Sequence, residues 1–205
     1  ADATVAASAR AVGRALRDGL GALASFVGEH PGANVAGGGV LALGAVAGWG
    51  LTAPHGVTLA PPGDPGSAFG AVPVGPFLDI AANNWLVAAG TGYGGLAVGL
   101  PTAAALLFNG ALVGALLGLF DPVVFLGLVA PHGVVELPAI AVAGGLGFHL
   151  GRVGWEAVRG RRSAAAVGDE LGEAFRVLVG LAVVFVVAAG IEAFVTPLVG
   201  AAVLG

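Results

Sequence analysis

Apolar residues fill this chain in long runs that charged residues do not interrupt. No Asp, Glu, Lys or Arg occurs at positions 30–63 or 80–120. A membrane-spanning helix needs about 20 mainly apolar residues, and five segments suit that requirement: 35–53, 77–92, 95–120, 131–151 and 176–197. The pattern therefore predicts an all-α polytopic transmembrane helix bundle of about five spans, in a single domain from 35 to 205.

Three other stretches have different predicted places. Residues 123–130 are apolar but too short to span, which favours a half-helix or a re-entrant segment covered by protein. Residues 1–34 are predicted to form a cytoplasmic amphipathic helix on the membrane surface, because Arg10, Arg14 and Arg17 share one helical face and apolar residues fill the opposite one. Residues 53–75 are rich in Pro and Gly, which predicts an external loop.

The distribution of charge predicts the topology. Only 10% of the residues are charged, compared with about 25% in a soluble domain. All eight basic residues are Arg: three precede the first predicted span, and five lie at 152–176, after the fourth. The positive-inside rule then predicts a multi-pass cell-membrane protein with a cytoplasmic N-terminus and an external C-terminus. No cysteine occurs in the sequence, so disulfides and thiolate metal sites are not expected.

Several polar residues fall within the predicted spans, where burial in lipid is unfavourable. They are Asn83, Asn84, Asn109, His132, Glu136 and Glu192. Counted along the helices from the predicted ends, they lie in the outer half of the bilayer, so we expect them to face one another inside the bundle. His132 and Glu136 are four residues apart and share a helix face, and Glu192 can join them from the fifth span.

Three interpretations of this cluster stay open. It can be a hydrogen-bonded lock between helices, with Glu136 held by His132 or by the Asn amides. His132, Glu136 and Glu192 can instead bind zinc or another divalent metal, with water in the fourth position. A proton or solute pathway is the third interpretation. Nearby, Asp79 is predicted to support a helix start, and His149 to be an interfacial histidine.

Gly110, Gly114 and Gly118 form a GxxxGxxxG pattern, which permits close approach of two helices. The partner helix can belong to the same bundle or to a second copy in a homodimer, and the sequence does not decide between them. Nucleic-acid binding is not expected, because the topology accounts for all eight Arg. No phosphate-binding loop, GxSxG or HExxH motif is present.

Four stretches together resemble one protein family. HGVVELPAIAVAGGLGFHLG, FLDIAANNWLVAAGTG, LLFNGALVGALLG and IEAFVTP are similar to segments of the stage II sporulation protein M family. The resemblance implies a five-span membrane protein. In endospore formers the namesake acts with peptidoglycan-degrading partners during engulfment, as their membrane anchor. The family positions matched here are Asn84, Asn109, His132, Glu136 and Glu192, and the family assigns them no settled catalytic role.

We therefore expect an integral membrane scaffold or partner-binding component of the cell envelope, in contact with lipid and with other envelope proteins. Its outer-leaflet polar cluster is a candidate metal site. One alternative is a transporter or channel that uses the same cluster as an ion or solute site. The other is an intramembrane metal-dependent hydrolase, which needs a metal with an open coordination position beside a substrate cleft.

Overall fold

The computed structural model describes residues 2–55 and 74–204, and this part of the chain is helical almost throughout. The helices are α1 (Asp2–Glu29), α2 (Pro31–Thr52), α3 (Val74–Gly94), α4 (Leu100–Leu119), α5 (Pro122–Val158), α6 (Ala164–Gly190) and α7 (Thr196–Leu204). A 3-10 turn, Ala53–His55, follows α2, and a π-helical turn, Ile191–Val195, joins α6 to α7. The predicted all-α class is confirmed. Most of the loop predicted at 53–75 lies outside the described residues.

Four helical stretches are long and apolar enough to cross a membrane: α2 with its 3-10 turn, α4, α5, and α6 continued into α7. Helix α3 has 21 residues, but Asp79, Asn83 and Asn84 lower its mean hydropathy. When α3 is counted as the remaining span, the structure is consistent with about five spans. The chain is a polytopic membrane protein.

The short length of residues 123–130 predicted a separate half-helix, and the structure does not form one. They are the first turns of α5, a single helix of 37 residues. Asp121 caps this helix by accepting hydrogen bonds from the backbone N–H groups of Val123 and Val124, and Pro122 suits the first helical turn. Pro131 lies inside the helix. The helix continues through it because backbone groups in lipid have no water as an alternative partner.

The glycine face of α4 packs on α2 of the same chain. A side chain at Gly110 would meet the backbone of Leu41, and one at Gly114 would meet the backbone of Ala45. Gly118 lies against the end of α2 in the same way. These three glycines are thus covered within the chain, where they let two helix backbones approach closely.

Helix α1 is docked at its C-terminal end and unpacked at its N-terminal end. Gly19 lies against Gly180 of α6, and Phe26 is buried in the core. Residues 4–18 are all exposed, with Arg on one face and apolar side chains such as Val12 and Leu16 on the other. Val12 is 59% and Leu16 40% exposed, so the described part of the chain leaves much of this apolar face uncovered.

Helices α5 and α6 form an antiparallel pair that carries most of the core. Gly160, with φ 68°, ends α5 in the left-handed conformation that glycine adopts readily. Ser163 then caps α6 by accepting a hydrogen bond from the backbone N–H of Ala166 at 3.2 Å. This short connection makes the two helices antiparallel neighbours. Several large side chains between them and their neighbours are at most 2% exposed: Leu146, Leu150, Leu178, Leu181 and Phe185.

Candidate metal centre

Three potential metal ligands come together between α5 and the π-helical turn. One ring nitrogen of His132 and one carboxylate oxygen from each of Glu136 and Glu192 lie within 4.8 Å of one another. His132 and Glu136 are one turn apart on α5 and share a face. All three side chains are half-buried, so the group is reached from outside yet is partly shielded from its surroundings.

The π-helical turn helps to set the position of Glu192. The backbone N–H of Thr196 donates to the carbonyl of Ile191, five residues back, where an α-helix would use the residue four back. Such turns insert an extra residue into a helix and are frequent at functional sites. Because α5 and α6–α7 run antiparallel, His132 lies beside Thr196, and Glu136, one turn further along α5, lies near Glu192.

The hydrogen bonds that the lock interpretation requires are not present among the described residues. Neither Glu136 nor Glu192 makes a hydrogen bond or an ion pair with His132 within the described ranges, and neither is bonded by an Asn amide there. The polar contact of the His132 ring is instead with Thr196: Nδ1 lies 3.3 Å from Oγ1. The His132 nitrogen and the two carboxylate oxygens are therefore close without being joined directly.

This spacing suits a shared cation better than direct bonds. Zinc–nitrogen and zinc–oxygen distances of about 2.0–2.2 Å place bound ligand atoms roughly 3.5 Å apart, which small side-chain movements would achieve here. Two neighbouring carboxylates repel each other unless a proton or a cation lies between them. One imidazole and two carboxylates are a donor set that zinc accepts with water as fourth ligand. The residues present therefore fit a zinc-like divalent ion.

Helix α3 forms the other wall of the site. The site is an open cleft of about 390 Å³, lined by Asp79, Ile80, Asn83, Asn84, His132, Glu136 and Glu192. The Nδ2 atom of Asn84 is buried and meets no acceptor in the described structure. Asp79 is the sixth residue of α3 and lies beyond its first turn. The predicted helix-start role is therefore wrong, because α3 begins at Val74, before the predicted start.

Asn109 is not among the residues that line this cleft. Its amide donates to the carbonyl of Ala105, one turn back in the same helix, at 2.8 Å. The glycine face of α4 packs on α2 and so fixes the rotation of the helix, and this leaves Asn109 on a different surface of the bundle. Of the three asparagines predicted to join the polar cluster, the structure brings Asn83 and Asn84 to the cleft.

The acidic residues of the cluster lie further from the helix ends than the sequence count implied, and their place in the outer leaflet stays a prediction. That prediction counted Glu136 about 8 Å from a helix start at Pro131. Because α5 begins at Pro122, Glu136 lies roughly 21 Å from the helix start. Glu192 lies about 17 Å, by the same count, from the end of the apolar stretch that α6 and α7 form together, which ends at Val203. Both acidic residues are thus inside the two longest helical stretches, away from the helix ends.

A second polar cluster lies at the opposite end of the bundle. His149 lies in this cluster: its side chain is 10% exposed, its Nε2 is 2.9 Å from the Glu170 carboxylate, and its ring packs on that of His30. Its position at the membrane interface stays a prediction. Arg162 bridges Glu156 at 3.0 Å and Glu170 at 2.6 Å. Hydrogen bonds with Glu156 and then Glu170 raise the pKa of the Arg162 guanidinium above its ordinary value. The network joins α5, α6 and the junction of α1 with α2.

Thr196 is the residue of the metal-site region that the sequence reasoning missed. It follows Glu192 by four residues, but the π-helical turn lies between them, so α-helical spacing alone was a weak signal for this residue. Its hydroxyl also lies 3.3 Å from the Ile191 carbonyl, and the residue is only 8% exposed. The cluster therefore has a buried polar support behind His132.

Comparison with known proteins gives one family. The protein-family model described as Stage II sporulation protein M matches residues 38–197, a range that contains every residue of the candidate site. No curated protein and no solved structure gives a match. Because the family match covers most of the chain and the four quoted sequence stretches fall inside it, this chain belongs to the stage II sporulation protein M family.

Proposed function

We propose that this protein is a structural or partner-binding component of the cell-envelope membrane, and that a divalent metal ion holds its two longest helical stretches together. Zinc is the best match to the ligands. The carrying observation is the approach of His132, Glu136 and Glu192 to within 4.8 Å of one another from α5 and the π-helical turn. An ion bound there would link α5 to α6–α7 inside both stretches, where neither hydrogen bonds nor ion pairs join these three side chains.

The proposal includes an orientation in the membrane. Residues 1–34 lie at the cytoplasmic face, and the C-terminus lies outside, because the Arg residues before α2 and after α5 then share the cytoplasmic side. The exposed apolar side chains at 4–18 support contact between this part of α1 and the lipid surface. The surrounding lipid and other envelope proteins are the expected partners of the bundle.

Metal content tests the site directly. The full chain is purified in detergent with its affinity tag removed, stripped with a chelator and dialysed against zinc, and bound zinc is then counted per chain. We expect roughly one ion per wild-type chain, and less than a tenth of that in Glu136→Gln and Glu192→Gln. Glu29→Gln is the matched control, because Glu29 is exposed on α1, and it should bind as wild type does. Zinc-free wild type, or variants that retain the ion, would refute the proposal.

A transporter or channel is the second candidate, and the position of Glu192 favours it. A π-helical turn interrupts the helix there, inside an apolar stretch, and transporters often place their ion sites at interrupted helices. The test is ion or proton flux into proteoliposomes. Flux that Glu136→Gln abolishes and Glu29→Gln preserves would support transport in place of a purely structural ion.

A further inference from the structure

The contact between His132 and Thr196 carries information about how the two ring nitrogens of His132 are used. A neutral imidazole holds one proton, on either Nδ1 or Nε2, and only the other nitrogen can bind a metal. Nδ1 of His132 lies 3.3 Å from Oγ1 of Thr196. The choice of tautomer therefore depends on whether the Thr196 hydroxyl donates or accepts in this contact.

The surroundings of Thr196 decide that question in favour of acceptance. A threonine hydroxyl has one proton to donate and two lone pairs. Its Oγ1 lies 3.3 Å from the carbonyl oxygen of Ile191, which can only accept. When the hydroxyl proton goes to Ile191, Oγ1 is left as an acceptor facing His132. Thr196 is 8% exposed, so solvent has little access to compete for these bonds.

We propose that Thr196 is a positioning residue that fixes His132 in the tautomer with the proton on Nδ1, so that Nε2 is the nitrogen offered to a metal ion. The proposal rests on the metal site proposed above. Histidine ligands in proteins usually donate their second ring N–H to an oxygen in this manner, which fixes both tautomer and ring orientation. Here the oxygen belongs to the same helical segment that supplies Glu192, the residue one turn before Thr196. The π-helical turn thus presents a ligand and the support for a second ligand together.

The tautomer is measurable without any metal. The protein labelled with ¹⁵N and ¹³C histidine is studied by NMR after chelation, under mildly alkaline conditions where an ordinary imidazole is neutral. We expect His132 to carry its proton on Nδ1 in the wild type and in Thr196→Ser, which keeps the hydroxyl. In Thr196→Val, which keeps the shape and loses the hydroxyl, the ring should shift towards the Nε2–H tautomer. A wild-type ring protonated on Nε2 would overturn the proposal.

Zinc affinity gives the second measurement. Loss of such a supporting oxygen typically weakens metal affinity by about 10–100-fold, and we expect a loss of that size for Thr196→Val and recovery in Thr196→Ser. Unchanged affinity in Thr196→Val would also contradict the inference. Thermal melting of the metal-free variants checks that each remains folded. If the wild type binds no zinc yet shows the Nδ1–H tautomer, the proposed metal site fails while the role of Thr196 in orienting His132 stands.

Discussion

Glu136 and Glu192 bring two carboxyl groups together inside long apolar helical stretches. An unpaired carboxylate in such a position is strongly unfavourable. Among the described residues no Arg pairs with either of them, because the ion pairs of the described chain lie at the opposite end of the bundle. The compensation available within the site is His132, a shared proton or a bound cation. The residue pair itself therefore argues for an ionic or protonic role, beyond packing alone.

The sequence predicted that Glu192 joins His132 and Glu136, and it missed Thr196 for a physical reason. Spacing of four residues on one helix was enough to place His132 and Glu136 on a shared face. The register of Glu192 and Thr196 against that face depends on the π-helical turn, and nothing in the letters IEAFV marks where a helix gains a residue. Asn109 illustrates the same difficulty, because the contact of α4 with α2 sets the rotation of that helix.

Zinc is expected to stabilise the fold in a manner that depends on His132. An ion that binds only the folded protein adds about 2.7 kcal/mol to the free energy of unfolding at 100 times its dissociation constant. Thermal melting in detergent, with zinc and with chelator, should show this gain in the wild type and little or none in His132→Ala. His55→Ala is the control, since His55 lies exposed after α2. Equal zinc-induced stabilisation of His132→Ala would show that the ion binds elsewhere.

At the scale of elements, glycine determines which helices become neighbours. Gly44 and Gly48 of α2 lie against the backbone of α4, and Gly110 and Gly114 of α4 lie against the backbone of α2. Without Cβ atoms at the crossing, the two backbones come closer than larger residues would permit. The sequence pattern identified the α4 face, but the partner helix became clear only from the structure, because glycine spacing recurs elsewhere in the chain.

Gly114→Leu should separate α2 from α4. A Cβ at this position would meet the carbonyl of Ala45, which is backbone and cannot move aside as a flexible side chain can. Overpacking of this kind destabilises by about 1–3 kcal/mol or more, which should appear as a lower melting temperature in detergent. Gly39→Leu on α2 is the matched control, because a side chain there meets nothing within 4 Å. Similar melting of both variants would contradict the proposed role of the close contact.

Gly19→Leu should release the C-terminal part of α1 from α6. The new side chain would meet Val179 and the backbone of Gly180, and undocking would expose Phe26. Burying such a side chain is worth about 1.5–3 kcal/mol, so amide hydrogen exchange at 19–29 should accelerate roughly tenfold or more. Gly21→Leu, with nothing within 4 Å of its new Cβ, should exchange as the wild type does. Unchanged protection in Gly19→Leu would mean that α1 docks by other contacts.

Helix limits were the least predictable feature at this scale. The predicted fourth span began at Pro131 because proline usually interrupts a helix. The structure continues α5 through Pro131 and Pro138, since Asp121 and Pro122 already provide a good helix start before the apolar residues 123–130. The predicted fifth span likewise ended near Pro197, whereas α7 extends to Leu204. Both differences lengthen the same antiparallel pair and move the candidate site towards its middle.

At the scale of the whole molecule, contacts between neighbouring helices define two opposite ends of the bundle. The turn between α3 and α4 packs on the last turns of α5, where Gly95 lies against Gly147 and Gly154 against Leu96. The same end holds the connection from α5 to α6, with its Arg residues. The other end holds the 3-10 turn after α2, the start of α5 and helix α7, whose Val203 lies against Gly127. We therefore expect each end to lie on one side of the membrane.

Cysteine labelling decides which end faces the cytoplasm. The sequence contains no cysteine, so single substitutions report cleanly: Ala7→Cys on the Arg side of α1, and His55→Cys in the 3-10 turn after α2, both at exposed positions. The positive-inside rule places the Arg-bearing end in the cytoplasm. A membrane-impermeant maleimide should then label His55→Cys in intact cells and Ala7→Cys only after permeabilisation. The reverse pattern would invert the bundle. Labelling of both positions in intact cells would place α1 on the same side as the 3-10 turn. That result would contradict an odd number of membrane crossings between the two positions.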